Sequence, residues 1–90
     1  MITTEPESLI EYPCDFPIKI MGKSQPGFAK NIIAIVKRHA PDFDEATLEM
    51  RASKKANYMS LTCTVHVTSR NQLDALYQTL CDDPMVVMVL

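Results

Sequence analysis

The chain has 90 residues, which fits a single domain, since domains typically span about 100–200 residues. Apolar residues make up 47% and charged residues 22%, close to the average of globular proteins. This composition excludes a disordered tail, a collagen-like repeat and a disulfide scaffold. The net charge of −2 argues against a dedicated binder of nucleic acid or of acidic membranes.

The charged residues occur in alternating acidic and basic blocks along the chain. Residues 1–15 and 42–49 carry only acids, whereas residues 16–41 carry only bases. A further group of basic side chains comprises Arg51, Lys54 and Lys55. Such blocks are usually solvated faces, and the alternative is a local basic patch that receives an anionic ligand or partner.

The three cysteines are Cys14, Cys63 and Cys81, and no two of them form a C-x-x-C pair. The spacing therefore indicates neither a zinc site nor dithiol chemistry, and we predict no metal and no cofactor. Reduced thiols are typical of the cytoplasm. Because no stretch approaches the roughly 18 apolar residues of a membrane span and the acidic N-terminus lacks a signal-peptide core, we expect a cytoplasmic protein without a membrane partner.

The N-terminal part of the chain predicts a leader followed by a strand. Residues 1–14 contain two prolines and are expected to form an irregular leader, with a single domain over residues 15–90. At the start of that domain Phe16, Ile18 and Ile20 recur at every second position. This alternation is typical of a half-buried strand.

A helix is predicted after a loop over residues 22–27. Its apolar stripe has helical spacing and consists of Phe28, Ala29, Ile32, Ile33 and Val36. We expect Ser24 to cap the helix, Pro26 to lie in its first turn and Pro41 to end it. Ile35 is expected at the margin of the stripe.

Two further strands are predicted in the middle of the chain. A short one covers residues 48–53, and a long one runs from Tyr58 to Thr68. The long strand alternates strictly, and its apolar side consists of Met59, Leu61, Cys63, Val65 and Val67. Such alternation indicates one buried face and one wet face.

The last third of the chain predicts a second helix and a final strand. Ser69 and Gln72 form a capping box, and the apolar stripe that follows consists of Leu73, Leu76, Tyr77 and Leu80. Pro84 breaks this helix, and residues 85–90 form a strand that is apolar on both sides. The order β-α-β-β-α-β predicts an α+β, ferredoxin-like fold: a four-stranded antiparallel sheet with two helices on one face and the first and third strands central.

The helix-free face of such a sheet is a candidate interface. Its polar half comes from the third strand, and its apolar half is predicted to include Met21, Val87 and Val89, with Val86, Met88 and Leu90 pointing inward. An open apolar surface is typical of an interface. Either the leader residues Leu9, Ile10 and Tyr12 cover it or a second copy of the chain does.

RNA-binding domains with this strand order stack bases on aromatic side chains of the two central strands. Tyr58 is the one aromatic residue predicted on the outer side of those strands here, so we expect no nucleic-acid partner. His39 and His66 are the only histidines, and no nucleophile, acid pair or metal cluster is arranged around either. The sequence therefore does not predict catalysis.

The loop before the first helix is a candidate ligand site, formed by Ser24, Pro26, Gly27 and Phe28. It resembles the Pro-Gly-hydrophobic turn of ACT-type regulatory domains, where a small ligand approaches backbone N–H groups at a helix start. The alternative interpretation is a plain turn that begins the helix.

Several short motifs together resemble the YbeD-like family of small bacterial proteins over nearly the whole chain. They are Leu9-Ile10-Glu11-Tyr12-Pro13, Phe16-Pro17, residues 18–22, Arg38-His39-Ala40-Pro41, Ser53 with the lysines that follow it, Asn57-Tyr58 and the terminal Val-Met-Val-Leu. The resemblance implies a ferredoxin-like fold similar to the ACT-type domain of phosphoglycerate dehydrogenase, and a bacterial cytoplasmic protein without catalytic residues to carry over. Family members are often encoded near lipoate-attachment enzymes.

This chain departs from the family pattern at two positions. Ala56 stands where relatives tend to have glycine in the hairpin, and Val87 stands where they tend to have a basic residue. The first puts a left-handed turn in question, and the second makes the open face more apolar.

Two functional hypotheses follow. The first is a non-enzymatic regulatory or adaptor domain that binds a small ligand or a protein partner through the open face, the Ser24–Phe28 turn and the basic Arg51–Lys55 hairpin. The second is an interaction module that forms a homodimer or docks on a partner through Met21, Val87 and Val89, without a small ligand. An enzyme is the least supported class.

Overall fold

The computed structural model describes residues 12–53 and 57–90. In chain order the elements are β1 (Cys14–Lys23), α1 (Phe28–His39), a 3₁₀ turn (Glu45–Thr47), β2 (Glu49–Ala52), β3 (Tyr58–Val67), α2 (Arg70–Asp82) and β4 (Val86–Val89). The predicted order of strands and helices is confirmed. Residues 1–11 of the predicted leader, including Leu9 and Ile10, lie outside the described residues, as do Lys54, Lys55 and Ala56.

The four strands form one sheet in the order β2-β3-β1-β4, and every neighbouring pair is antiparallel. The two long strands, β1 and β3, are central and pair from Cys14 opposite Val67 to Lys23 opposite Tyr58. Both helices cover the same face. The predicted ferredoxin-like α+β fold is therefore confirmed.

The core lies between the sheet and the two helices. Its buried side chains are Ile18, Ile20, Phe28, Ile32, Ile35, Val36, Ala40, Phe43, Leu61, Cys63, Val65, Val67, Leu73, Leu76 and Leu80. Successive side chains of a strand point to opposite faces, so the alternation in β1 and β3 brings their apolar sets to the helix side. Tyr12 also packs against this core.

Pro17 lies in the middle of a central strand, where proline usually removes a ladder hydrogen bond. The neighbouring Lys19 exchanges both backbone hydrogen bonds with Leu90, at 3.2 and 2.8 Å. In an antiparallel ladder every second residue directs its backbone groups to the same side. Pro17 therefore lacks an N–H that would point toward the β4 side, at a position beyond the Lys19–Leu90 pair. The β1–β3 ladder loses no hydrogen bond.

Three expectations about α1 are wrong. The helix begins at Phe28, so Pro26 lies before it rather than in its first turn. Its N-cap is Gly27, whose φ of 85° lies in the left-handed region, and no side chain caps the helix; Ser24 instead donates its backbone N–H to the Asn57 carbonyl at 3.0 Å. Ile35 is buried rather than marginal, because α1 packs against α2 as well as contributing to the core beneath the sheet. The helix ends at His39 before Pro41, as predicted.

The capping box of α2 is confirmed in one of its two hydrogen bonds. The Ser69 hydroxyl accepts from the Gln72 backbone N–H at 3.2 Å. The Gln72 carboxamide oxygen accepts from the Thr68 N–H at 2.7 Å, and its nitrogen donates to the His39 carbonyl at 2.9 Å. Gln72 thus joins the start of α2 to the end of α1.

His39 makes a second link between the helices. The Thr79 hydroxyl donates to the Ala75 carbonyl at 3.0 Å, so its oxygen accepts from His39 Nε2, 2.9 Å away. His39 is therefore occupied in holding the two helices together.

Candidate functional site: the open face of the sheet

The face of the sheet away from the helices is called the open face below. Residues opposite each other on antiparallel strands point to the same side, which assigns to it Asp15, Pro17, Lys19, Met21, Lys23, Glu49, Arg51, Tyr58, Ser60, Thr62, Thr64, His66, Met88 and Leu90. One row across the sheet reads Glu49, Thr62, Lys19 and Leu90. The next row reads Arg51, Ser60, Met21 and Met88.

A depression of about 250 Å³ lies on the open face where β1, β2 and β3 run side by side. It is lined by Lys19, Glu49, Met50, Arg51, Ser60 and Thr62. The Ser60 hydroxyl lies 3.4 Å from the Arg51 carbonyl. The depression thus brings together two cations, two hydroxyls and one carboxylate, and charged donors such as these form the stronger hydrogen bonds to carboxylate or phosphate.

The charges of this depression are not neutralised within the described part of the chain. Lys37 forms an ion pair with Glu45 at 2.7 Å, whereas Lys19, Glu49 and Arg51 make no side-chain ion pair or hydrogen bond with residues 12–53 or 57–90. Within residues 12–53 and 57–90, nothing therefore competes with a ligand or a partner for these three charged groups.

The opposite end of the open face is acidic. His66 Nδ1 lies 3.1 Å from Asp15 Oδ1, and a second depression beside this pair also receives Asp42, Asp44 and Glu49. Within residues 12–53 and 57–90, no group of three or more His, Cys, Asp or Glu side chains has an arrangement that could hold a metal ion.

The orientation predicted for β4 is confirmed for Val86 and Val87 but is wrong for Met88, Val89 and Leu90, because of a bulge. Ile20 pairs with Val89 and Met21 with Met88, but Gly22 pairs with Val86, so Val87 has no opposite residue. The extra residue changes the phase of the strand. Val86 and Val89 pack against the core, whereas Val87, Met88 and Leu90 are 59%, 48% and 60% exposed. Met88 and Leu90, rather than Val89, join Met21 on the open face.

The predicted ligand turn lies apart from the 250 Å³ depression. Phe28 is buried in the core, and a Cβ on Gly22 would come within 2.6 Å of its ring. Pro26 and Gly27 are exposed. Ser24 lines a shallow groove with Lys23, Asn57 and Tyr58, so the turn adjoins the β2–β3 hairpin. A ligand at this turn stays a prediction.

Of the predicted interface residues, Arg51 and Met21 lie on the open face and Lys54 and Lys55 lie outside the described residues. The residues that sequence analysis did not single out as site residues include Glu49, Ser60, Thr62, Met88 and Leu90. The strict alternation of β3 indicates the orientation of Ser60 and Thr62. Their meeting with Lys19 and Glu49 depends on strand register, which no local pattern specifies.

Burial makes the thiol of Cys63, on β3, unreactive. Desolvation raises the pKa of Cys63 from 9.0 to about 11, so this thiol is protonated at neutral pH and is a poor nucleophile. The pKa of Tyr77 is also raised, first by burial and then by the neighbouring Cys81. Neither group lines the depression on the open face.

The fold is that of a ferredoxin-like domain with one sheet face left open by the helices. The NMR structure of the ACT domain from GTP pyrophosphokinase of Chlorobium tepidum is similar, with a TM-score of 0.64 and 20% identity over 84% of each chain. Protein HP0495 from H. pylori is similar over 99% of this chain and 98% of its own, with a TM-score of 0.69 and 14% identity. At these identities the likeness concerns the fold.

The chain belongs to the family described as "protein of unknown function (DUF493)", which it matches over residues 7–90. A UPF0250 protein of Nitrosomonas europaea is 67% identical over 93% of this chain and 97% of the relative. Another from Bordetella parapertussis is 58% identical over 93% and 92%, respectively. The predicted membership of the YbeD-like family is thereby confirmed. Among the described residues, no helix is long and apolar enough to cross a membrane.

Proposed function

We propose that the protein is a non-enzymatic regulatory domain that binds a small carboxylate-bearing ligand in the depression on the open face. The observation that carries this proposal is the pair of cations, Lys19 and Arg51, beside the Ser60 and Thr62 hydroxyls. Neither cation has an anionic partner within residues 12–53 or 57–90. A ligand carboxylate would supply that partner.

Glu49 restricts which ligands fit. Its carboxylate lies in the same row as Thr62 and Lys19, so a ligand with a cationic or hydrogen-bond donor group beside its carboxylate is favoured over a simple anion. Exposed ion pairs contribute at most about 1 kcal/mol each. We therefore expect weak binding, with a Kd of roughly 1 mM or higher.

The family adds two expectations to this proposal. The encoding of relatives near lipoate-attachment enzymes makes lipoyl compounds one ligand class to test, and the ACT-type fold makes amino acids another. A cytoplasmic location is supported by the free thiols of Cys14, Cys63 and Cys81, since reducing compartments keep thiols unpaired.

Titration followed by NMR tests the proposal. Amino acids, lipoate, octanoate and inorganic phosphate are added at constant ionic strength, and the amide signals of Lys19, Arg51, Ser60 and Thr62 are expected to shift with at least one carboxylate. Lys19→Gln and Arg51→Gln are each expected to weaken binding severalfold, because each removes a charged donor.

Lys30→Gln is the matched control, since Lys30 is exposed on α1 and away from the open face. It is expected to leave the Kd unchanged. Absence of binding by every compound would refute the proposal. Shifts confined to Ser24 and Gly27 would place the ligand at the turn before α1 instead.

A second candidate function is protein contact through the apolar part of the open face. The exposed Met88 and Leu90 favour it, because they adjoin Met21 and Lys19 and add apolar area to a solvent-facing surface. Val87 is equally exposed on the same edge strand.

A further inference from the structure

We propose that two copies of this chain pack open face against open face, related by a two-fold axis that runs across the strands. The inference deepens the second candidate function: it names the partner and the register of the contact. It does not depend on the ligand proposed above.

The open face is bipolar along the strand direction. Its acidic end carries Asp15, with Asp42 and Asp44 beside it. Its other end carries Arg51 and Lys23. A two-fold axis across the strands reverses the strand direction of the second copy. The acidic end of each copy then lies over the basic end of the other, which is the self-complementarity that an isologous contact requires.

One position of the two-fold axis brings complementary side chains of the two copies together, in addition to placing the acidic end of each copy over the basic end of the other. When the axis lies between the row of Lys19 and the row of Met21, Glu49 of each copy faces Arg51 of the other copy. The same operation places Leu90 of each copy over Met88 of the other copy. Each match occurs twice, so one operation pairs charge with opposite charge and apolar area with apolar area.

The residues that form these contacts between copies are exposed in the single chain. Glu49 and Arg51 are exposed, and neither has a side-chain ion pair within residues 12–53 or 57–90. Met88 and Leu90 are 48% and 60% exposed. Two sheets that pack face to face lie about 10 Å apart, a distance that long side chains such as these fill from both sides.

Pairing through the outer edge of β4 is the competing arrangement, and the structure disfavours it. β4 has four residues, and the bulge at Val87 interrupts its regular alternation. Short, bulged strands are poor templates for edge-to-edge pairing because the bulge twists the edge away from a flat ladder. Edge pairing would also leave the charges of Glu49 and Arg51 unmatched.

The size of the face predicts a weak dimer. Strands about 4.8 Å apart and residues about 3.4 Å apart along them give a face of at most roughly 500 Å² per copy. The total of about 1,000 Å² is at the lower end of specific interfaces. We therefore expect reversible association at roughly 10 μM to 1 mM that weakens as salt screens the charge pairs.

Sedimentation equilibrium of charge-reversed variants tests the proposal. The wild-type mass is expected to rise with concentration over this range. Glu49→Arg alone and Arg51→Glu alone are each expected to stay monomeric, because each places like charges in both pairs. An equimolar mixture of the two variants is expected to associate at least as strongly as wild type, since each then supplies the charge that the other needs.

Lys30→Glu is the matched control, because it changes the net charge as Arg51→Glu does but lies on α1; it is expected to associate like wild type. A wild type that stays monomeric, single variants that associate like wild type, or a mixture that stays monomeric would each overturn the proposal. Association abolished by Val87→Pro but unaffected by both charge reversals would overturn it in favour of edge pairing.

Ligand binding is measured separately at about 5 μM protein, below the expected range of association. A carboxylate-dependent thermal shift in a strictly monomeric wild type would leave the proposed ligand site standing and this dimer refuted. Dimerisation with no response to any carboxylate would support this dimer and refute the proposed ligand site.

Discussion

The two faces of the central sheet are built by different rules, although the same two strands supply most of both. On the helix side Ile18, Leu61 and Cys63 are fully buried and belong to the core that the sheet shares with the two helices. On the open side their immediate neighbours Lys19, Thr62 and Thr64 carry charges or hydroxyls. A difference of one position along the strand thus separates the core from the candidate binding surface.

This difference assigns most of the folding free energy to the helix side of the sheet and the candidate binding groups to the open side. Apolar burial is worth roughly 25 cal/mol per Å², so the helix side supplies most of the folding free energy. Exposed charges contribute little to stability, and three on the open side, Lys19, Glu49 and Arg51, have no partner within the described residues. The open side can therefore change with little effect on the fold.

The largest contrast is expected between two neighbouring residues of β3. Leu61→Ala deletes a fully buried side chain and is expected to lower the free energy of unfolding by about 2–5 kcal/mol. Thr62→Ala alters the open face and is expected to change it by less than about 0.5 kcal/mol. Urea denaturation measures both, and similar losses for the two variants would break the distinction between the faces.

A smaller contrast is expected between the two glycines. A Cβ at Gly22 would lie 2.3 Å from the Met85 carbonyl oxygen and 2.6 Å from the Phe28 ring, so Gly22→Ala is expected to cost about 1–3 kcal/mol through overpacking.

Gly27 is the control for this substitution. It has open space around its Cβ position but a φ of +85°, so Gly27→Ala is expected to cost about 1 kcal/mol from backbone strain alone. If thermal unfolding shows a larger loss of stability for Gly27→Ala than for Gly22→Ala, the close contact of β1 with α1 matters less for stability than the backbone conformation of the turn.

The smallest effect concerns pH. Burial raises the pKa of Cys63 from 9.0 to about 11, so the folded thiol keeps its proton where the unfolded thiol loses it. Stability contributed by this group is fully present below about pH 9 and declines as the pH rises toward about 11. Cys63→Ala removes this contribution.

The measurement compares urea denaturation of wild type and Cys63→Ala between pH 8 and 11. The wild-type free energy of unfolding is expected to fall more steeply with pH than that of the variant. Parallel curves would contradict the assigned burial of the thiol.

Much of the fold was predictable because its signals are local. The alternation of β3, the stop at Pro41 and the cap at Ser69 each depend on residues close in sequence, and all three are found. The start of α1 was mispredicted, because the N-cap preference of Ser24 is a statistical tendency whereas Gly27 can adopt the positive φ that this turn uses.

The site was less predictable than the fold. Alternation indicates that Lys19, Ser60 and Thr62 face away from the helices. Only the pairing register shows that they share one depression with Glu49 and Arg51. The bulge at Val87 also reversed the orientations expected beyond it, since one extra residue moves every later side chain to the other face.

The sequence by itself determined the elements and their order, because hydrophobic period, capping and proline act over a few residues. Only the tertiary structure decided which side chains meet across strands, how deeply Ile35 is buried and which end of β4 faces water. Those outcomes depend on contacts between residues far apart in the chain, whose alternatives differ in packing rather than in local preference. The grouping of Lys19, Glu49 and Arg51 on the open face is therefore a product of register.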